Sequence, residues 1–255
     1  MDLNQQISKS TNLQINQALH LADTALILGQ RNSEWCAHGP ILEQDIAITN
    51  ITLDLIGQAR LFYQYAATLI NANENKNETE DSLAYLRNER DFKNLLICEL
   101  PNGNWGQTVL RQFFYSVFQE LLFEKLMQSD IDDLSAIATK SIKETKYHVK
   151  WSSEWIIRLG DGTEESKLKM MKAIEELWMY TGEFFIPATY ELIDVASLKT
   201  EWLKRIAVIL DEATLSVPQN AFMQTGGKTG IHTEQLGYIL AEMQTLQRNY
   251  PGAEW

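Results

Sequence analysis

Proline and cysteine are scarce, 5 and 2 among 255 residues. So few prolines leave long segments free of the residue that breaks a helix. The two thiols, Cys36 and Cys98, stand far apart, which excludes a disulfide-stapled fold and fits reduced thiols in a cytoplasmic protein. With only 13 glycines there is no collagen-like or low-complexity composition. No apolar run approaches the ~20 residues that a spanning helix needs. The polar start, 1–16, lacks the apolar core of a secretory signal, so a soluble cytoplasmic chain is expected. Basic residues are also in short supply, 22 Lys and Arg against 34 Asp and Glu, giving a net charge of -12. A field of that sign repels nucleic acid and anionic lipid and favours neutral or basic protein partners.

What the chain does have is a 45% hydrophobic content arranged with helical period. Ile15, Leu19, Ala22, Leu26 and Gly29 share one stripe and predict a helix from about Ile15 to Glu34. Gly39-Pro40 interrupts it, and a second helix is expected from about Leu42 to Leu69. The polar segment 71–80 reads as an exposed connection, followed by a short helix over Ser82–Arg90. A third long helix is expected from Trp105 to Met127, and a fourth from Ile131 to Leu159 with Ser129 or Asp130 as its cap. Three further helices are expected over Glu164–Tyr180, capped by Thr163, then over Leu198–Asp211 and Thr233–Arg248.

Four long helices in two hairpins joined by a longer crossover predict an all-α, ferritin-like four-helix bundle with additional C-terminal helices. It reads as one domain over residues 1–255, with the bundle core at about 13–160 and a helical extension at about 161–255.

Such bundles hold two metal ions with a Glu from each of two helices and Glu-x-x-His from each of the other two. The spacing works because positions i and i+3 share a helical face, so carboxylate and imidazole converge. Here His20, His38, His148 and His232 are the only histidines, and only His148 lies well inside a core helix in such a context. Thr145 stands three residues before it where Glu is required, and Glu144 sits one position further back. On the second helix the best inward acid is Asp54, and its i+3 partner is Gly57, which has no ligating atom. Asp54, Gly57, Thr145 and His148 therefore read as degenerate ligand positions, with no metal, cofactor or catalytic residue expected in this chain.

The other inner stripes offer Asp23 and either Ser116 or Glu120. The simplest expectation is that Asp23, Asp54, Glu120 and His148 are internal polar groups paired with one another or with Arg60 or Arg111. The alternative is a divergent dimetal carboxylate oxidase using Asp23, Asp54, Glu120, Glu144 and His148.

Gly226-Gly227-Lys228-Thr229-Gly230 lacks the spacing and the preceding strand of a phosphate loop. Cys36 and His38 share an interhelical loop, weak evidence for a reactive thiolate. Lys167, Lys169 and Lys172 are candidates for a CoA phosphate site, although a solvated face is the plainer reading. The tryptophans at 35, 105, 151, 155, 178, 202 and 255 read as packing residues.

Several segments together resemble the structural subunit of the bacterial multicomponent phenylacetyl-CoA epoxidase. They are Leu21–Trp35, Leu53–Arg60 (LDLIGQAR), Arg90–Asn102, Arg111–Phe114 (RQFF), Tyr147–Ser166, the LW-x-YTGEFF run from Leu177, and the C-terminal GIHTEQLGYILAEMQTLQRNYPGAEW. They run in order through almost the whole chain. The resemblance implies a ferritin-like subunit without a metal of its own. It also implies pairing with a paralogous subunit whose di-iron centre epoxidises the substrate ring, within a complex that includes a reductase and small subunits. Isolated, the chain is expected to tend toward homo-oligomers. Its contact surface is expected on the first two helices, Ile15–Leu69, where Phe62 and Tyr63 lie beyond the core stripe.

Overall fold

A computed structural model of the protein describes residues 3–219 and 221–253. Among these residues all regular structure is helical. The bundle consists of α1 (Leu3–Ser33), α2 (Leu42–Glu74), α5 (Trp105–Leu126) and α6 (Asp132–Gly160). The crossover between the hairpins carries α3 (Glu80–Tyr85) and α4 (Leu96–Glu99). The extension adds α7 (Glu164–Trp178), α8 (Lys199–Glu212), α9 (Glu234–Met243) and α10 (Thr245–Asn249). Trp255 lies outside the described residues.

Local chemistry explains most of the helix ends. Asn104 begins α5 by accepting from the Gln107 backbone N–H, while the Gln107 side chain accepts from Asn104 N. Thr163 and Ser166 make the same reciprocal box at α7. The start of α6 departs from expectation: its cap is Ile131, which offers no side-chain acceptor, and Ser129 Oγ instead accepts from Ile131 N at 3.2 Å. The helix expected over 233–248 is broken at Gln244, whose buried side chain donates to Ala84 O and Arg87 O. Those bonds fasten the chain end to the crossover.

The four core helices are not equivalent. A stripe on α1 was expected, yet Gln17–Gly29 is buried on every side, and so is Thr108–Gln119 of α5. A helix buried all round needs cover on its outer face. For α1 that cover is the crossover, α9 and the loop near Leu192, whose N–H donates to Gln17 Oε1 at 2.9 Å. For α5 it is α7 and α8, through a cluster of Phe114, Phe118, Trp178, Phe184, Phe185 and Trp202. The Trp202 indole N–H donates to Phe114 O at 3.0 Å, so the ring is buried without an orphaned donor. Burying each such ring contributes on the order of 1.5–3 kcal/mol. The crossover and the extension thus sheathe α1 and α5 and leave α2 and α6 with an outer face in solvent.

Candidate functional site

At the middle of the bundle, where a metal pair would sit in a ferritin-like carboxylate protein, α2, α5 and α6 contribute a connected ladder of neutral polar groups. Gln119 of α5 donates to Gln58 Oε1 of α2 at 2.9 Å and to Tyr115 Oη at 3.0 Å. Thr145 of α6 donates to Gln119 Oε1 at 3.4 Å and to Ser141 O at 3.1 Å. Two turns along, Gln112 donates to Ser116 Oγ at 2.8 Å and accepts from the Asn32 amide of α1 at 2.7 Å. All these side chains are buried, so the two sets of bonds replace hydration, one tying α5 to α2 and α6 and the other tying α5 to α1.

Charged groups touch this ladder only at its rim. Gln58 Nε2 donates to Glu144 Oε2 at 2.9 Å, and His148 Nε2 lies 3.0 Å from Asp54 Oδ2. His148 is fully buried, whereas Asp54 is half-buried on the flank of α2 that looks toward α6. Gly57 points away altogether: a Cβ there would meet nothing within 4 Å. The inward residues of α2 are therefore Leu55 and Gln58, one position on from the expected pair Asp54 and Gly57, because each residue turns the helix by about 100°. Thr145 and His148 on α6 do face inward, as their spacing predicts.

The remaining candidates are dispersed. Asp23, fully buried, accepts from Tyr63 Oη at 2.6 Å, from Lys93 N at 2.8 Å and from the Arg87 guanidinium. Glu120 turns outward and pairs with Arg205 of α8 at 3.3 Å, with burial pushing its carboxyl above the ordinary value. Ser116 stays in the ladder. The expected partners Arg60 and Arg111 take neither acid: exposed Arg60 pairs with Glu80, and buried Arg111 donates to Leu100 O and Asn102. Asp23, Asp54, Glu120, Glu144 and His148 thus form no common site. Among the described residues no group of three or more His, Cys, Asp or Glu is placed to hold a metal ion. The donors at the bundle centre, amides and hydroxyls, do not fit a di-iron pair, which needs anionic carboxylates to balance its charge.

The sequence profile of the family described as phenylacetic acid catabolic protein matches residues 1–255. The chain belongs to that family. A relative from Escherichia coli (strain K12), named as a subunit of 1,2-phenylacetyl-CoA epoxidase, is 46% identical over 245 residues, covering 93% of this chain and 97% of the relative.

In this family member the glycine-rich loop is an internal anion cradle. Glu183 Oε1 accepts from Gly226 N at 2.8 Å and Gly227 N at 2.7 Å, while its Oε2 accepts from Leu96 N at 2.8 Å. Burial pushes the carboxylate's pKa up, and the three N–H bonds oppose that rise. Lys228 is turned the other way, onto Glu191 at 2.7 Å and the carbonyls of Phe184 and Ile186. Burial lowers its pKa against the pull of Glu191.

Lys169 and Lys172, two of the three candidates for CoA phosphate, pair with Glu165 and Glu176 along their own helix. Cys36 is exposed, and His38 Nδ1 lies 3.0 Å from the Cys36 carbonyl oxygen rather than on the sulfur. The amide ladder went unread in the sequence, although Gln112, Ser116 and Gln119 recur at helical spacing on an otherwise apolar helix. That was the available signal. No described helix is long and apolar enough to cross a membrane.

The expected contact surface needs correction. Phe62 and Tyr63 are 1% and 2% exposed, Phe62 packing on Phe123 and Tyr63 bonding Asp23. The exposed apolar residues of α2 are Leu42, Ile46, Leu53 and Ile56. Their spacing places them on one face, beside the open surface at Gly57.

Proposed function

We propose that this chain is the non-catalytic structural subunit of a multicomponent phenylacetyl-CoA epoxidase, acting in the cytoplasm in aerobic phenylacetate degradation. It carries no metal of its own, pairs with the paralogous di-iron catalytic subunit and works alongside the reductase and small subunits. The observation that carries this reading is the neutral ladder of Gln58, Tyr115, Gln119 and Thr145 at the bundle centre. A bundle stabilised there by amides keeps the shape of its metal-binding paralogue without the charges that the metal would compensate. Family membership and a relative named as an epoxidase subunit supply the substrate and the complex.

Support of this kind is exerted through a surface. With α1 and α5 sheathed, α2 presents Leu42, Ile46, Leu53 and Ile56 outward, and Leu53 is 61% exposed. An apolar helical stripe of this type suits a permanent interface with another helical bundle. Held against it, the active-site helices of the partner keep the sub-ångström positioning that catalysis requires.

The test is elemental analysis of the purified chain after iron loading, alone and co-expressed with the catalytic subunit. Essentially no iron in the isolated chain and about two irons per co-purified pair is the expected result. Stoichiometric iron in the isolated chain overturns the reading. Leu53→Glu with Ile56→Glu should abolish co-purification while leaving the thermal transition of the isolated chain within about 2 °C, as exposed sites do.

A further inference from the structure

The outer face of α6 carries a second surface of opposite chemistry. Lys140, Lys143, Lys146 and Lys150 follow at intervals of three, three and four residues, and all four are exposed. That spacing puts them within about 120° of arc along about 15 Å of helix. Many of the other cations are paired with carboxylates, including Arg60, Lys76, Arg87, Lys169, Lys172, Lys204, Arg205 and Lys228. Among the described residues no carboxylate comes within 4.0 Å of any of the four α6 lysines.

The acids that lie nearby are already engaged. Glu144 accepts from Gln58, Glu154 pairs with Arg158, and Glu120, which feels Lys146, is held by Arg205. In the middle of the ridge Tyr147 stands 45% exposed, an aromatic side chain of the kind that anchors interfaces.

From this geometry we propose that the α6 ridge docks an acidic face of a further soluble protein component of the same complex, engaged reversibly rather than as a permanent partner. The proposal rests on the subunit reading above. Charge complementarity selects the occupant. A chain with a net charge of -12 that concentrates four unpaired cations on one helix attracts a local acidic patch while repelling an extended polyanion beyond it. Charged, solvated surfaces suit transient encounters, in contrast with the apolar stripe of α2.

The experiment measures binding of each remaining purified subunit to the pair formed by this chain and the catalytic subunit, at low and at moderate salt. It compares the wild type with Lys140→Glu, Lys143→Glu, Lys146→Glu and Lys150→Glu combined, and with the four corresponding Lys→Arg changes. One subunit is expected to bind the wild type and the Arg variant alike, to bind the Glu variant at least tenfold more weakly, and to lose affinity as salt rises. Equal binding of every subunit to the wild type and the Glu variant overturns the proposal, as does affinity unmoved by salt. Preference of the ridge for duplex DNA or phosphatidylserine vesicles over all subunits also overturns it. Pair formation is recorded first, so failure of the subunit reading shows as loss of the pair in the wild type and is separate from failure of the ridge.

Discussion

Arg87 neutralises a carboxylate that has no access to water, and removing it should be costly in a calculable way. Asp23 lies on α1 inside the sheath, fully buried, and Arg87 reaches it from the middle of the crossover, just after α3, with 13% of its side chain exposed. The guanidinium also donates to Tyr63 Oη at 3.2 Å and to Asp91 O at 3.0 Å, and it stacks 4.3 Å from the Phe92 ring centroid. Burial acts to lower the pKa of Arg87, and the Asp23 and Tyr63 interactions outweigh it, leaving the cation more firmly protonated. Arg87→Met keeps the apolar stem and removes the charge, so Asp23 retains only Tyr63 and the Lys93 N–H.

Leaving a buried charge uncompensated costs about 3–5 kcal/mol. In a chain of this size that is a fall in Tm on the order of 10 °C. Differential scanning calorimetry of wild type, Arg87→Met, Asp23→Asn and the double variant measures it. The double variant should recover a substantial part of the Arg87→Met loss, because the amide needs no counter-charge. A Tm fall under about 3 °C for Arg87→Met, or a double variant as unstable as the sum of the singles, refutes the pairing.

Acid should weaken the fold through His20, which is fully buried, lies 2.7 Å from Lys93 O through Nδ1, and has its pKa pushed down to about 3 by burial and by the Lys228 charge. Because the folded pKa is below the unfolded value, the stability is complete above about pH 6.5 and is lost as pH falls. Between pH 7 and pH 5 the loss is about 2 kcal/mol. His20→Gln should lack that share of the acid-induced fall in Tm, and an unchanged pH profile contradicts the assignment. Gly227→Ala drives a Cβ into Asn94 O, against backbone that cannot yield, so a loss above about 2 kcal/mol is expected in chemical denaturation. Gln119→Leu orphans Gln58 Oε1 and the Tyr115 hydroxyl, with an expected cost of about 2–3 kcal/mol by the same method and no change in iron content.

The long helices, their hairpin pairing and the cap at Thr163 were legible in the sequence, because they depend on neighbours three or four residues away, whereas the cap at Asn104 came only with the structure. The absence of Glu-x-x-His was equally legible, and with it the prospect that this bundle holds no di-iron pair. Facing was harder to read. One residue of helical phase separates Asp54 from Leu55 and Gly57 from Gln58, so the inward set on α2 was misassigned by a single step. Phe62 and Tyr63 looked surplus to a single stripe, yet α5 and the crossover supply them with partners from distant sequence.

By itself the sequence determined the class of fold, the number of long helices and the lack of any Glu-x-x-His pattern, since periodicity, capping and residue type are local properties. The tertiary structure alone decided that α1 and α5 are sheathed while α2 and α6 face solvent. It also decided that Glu183 fills the glycine cradle and that Asp23 finds its counter-charge in Arg87. Each of these joins residues dozens of positions apart, and no local pattern encodes which distant groups will share a buried volume.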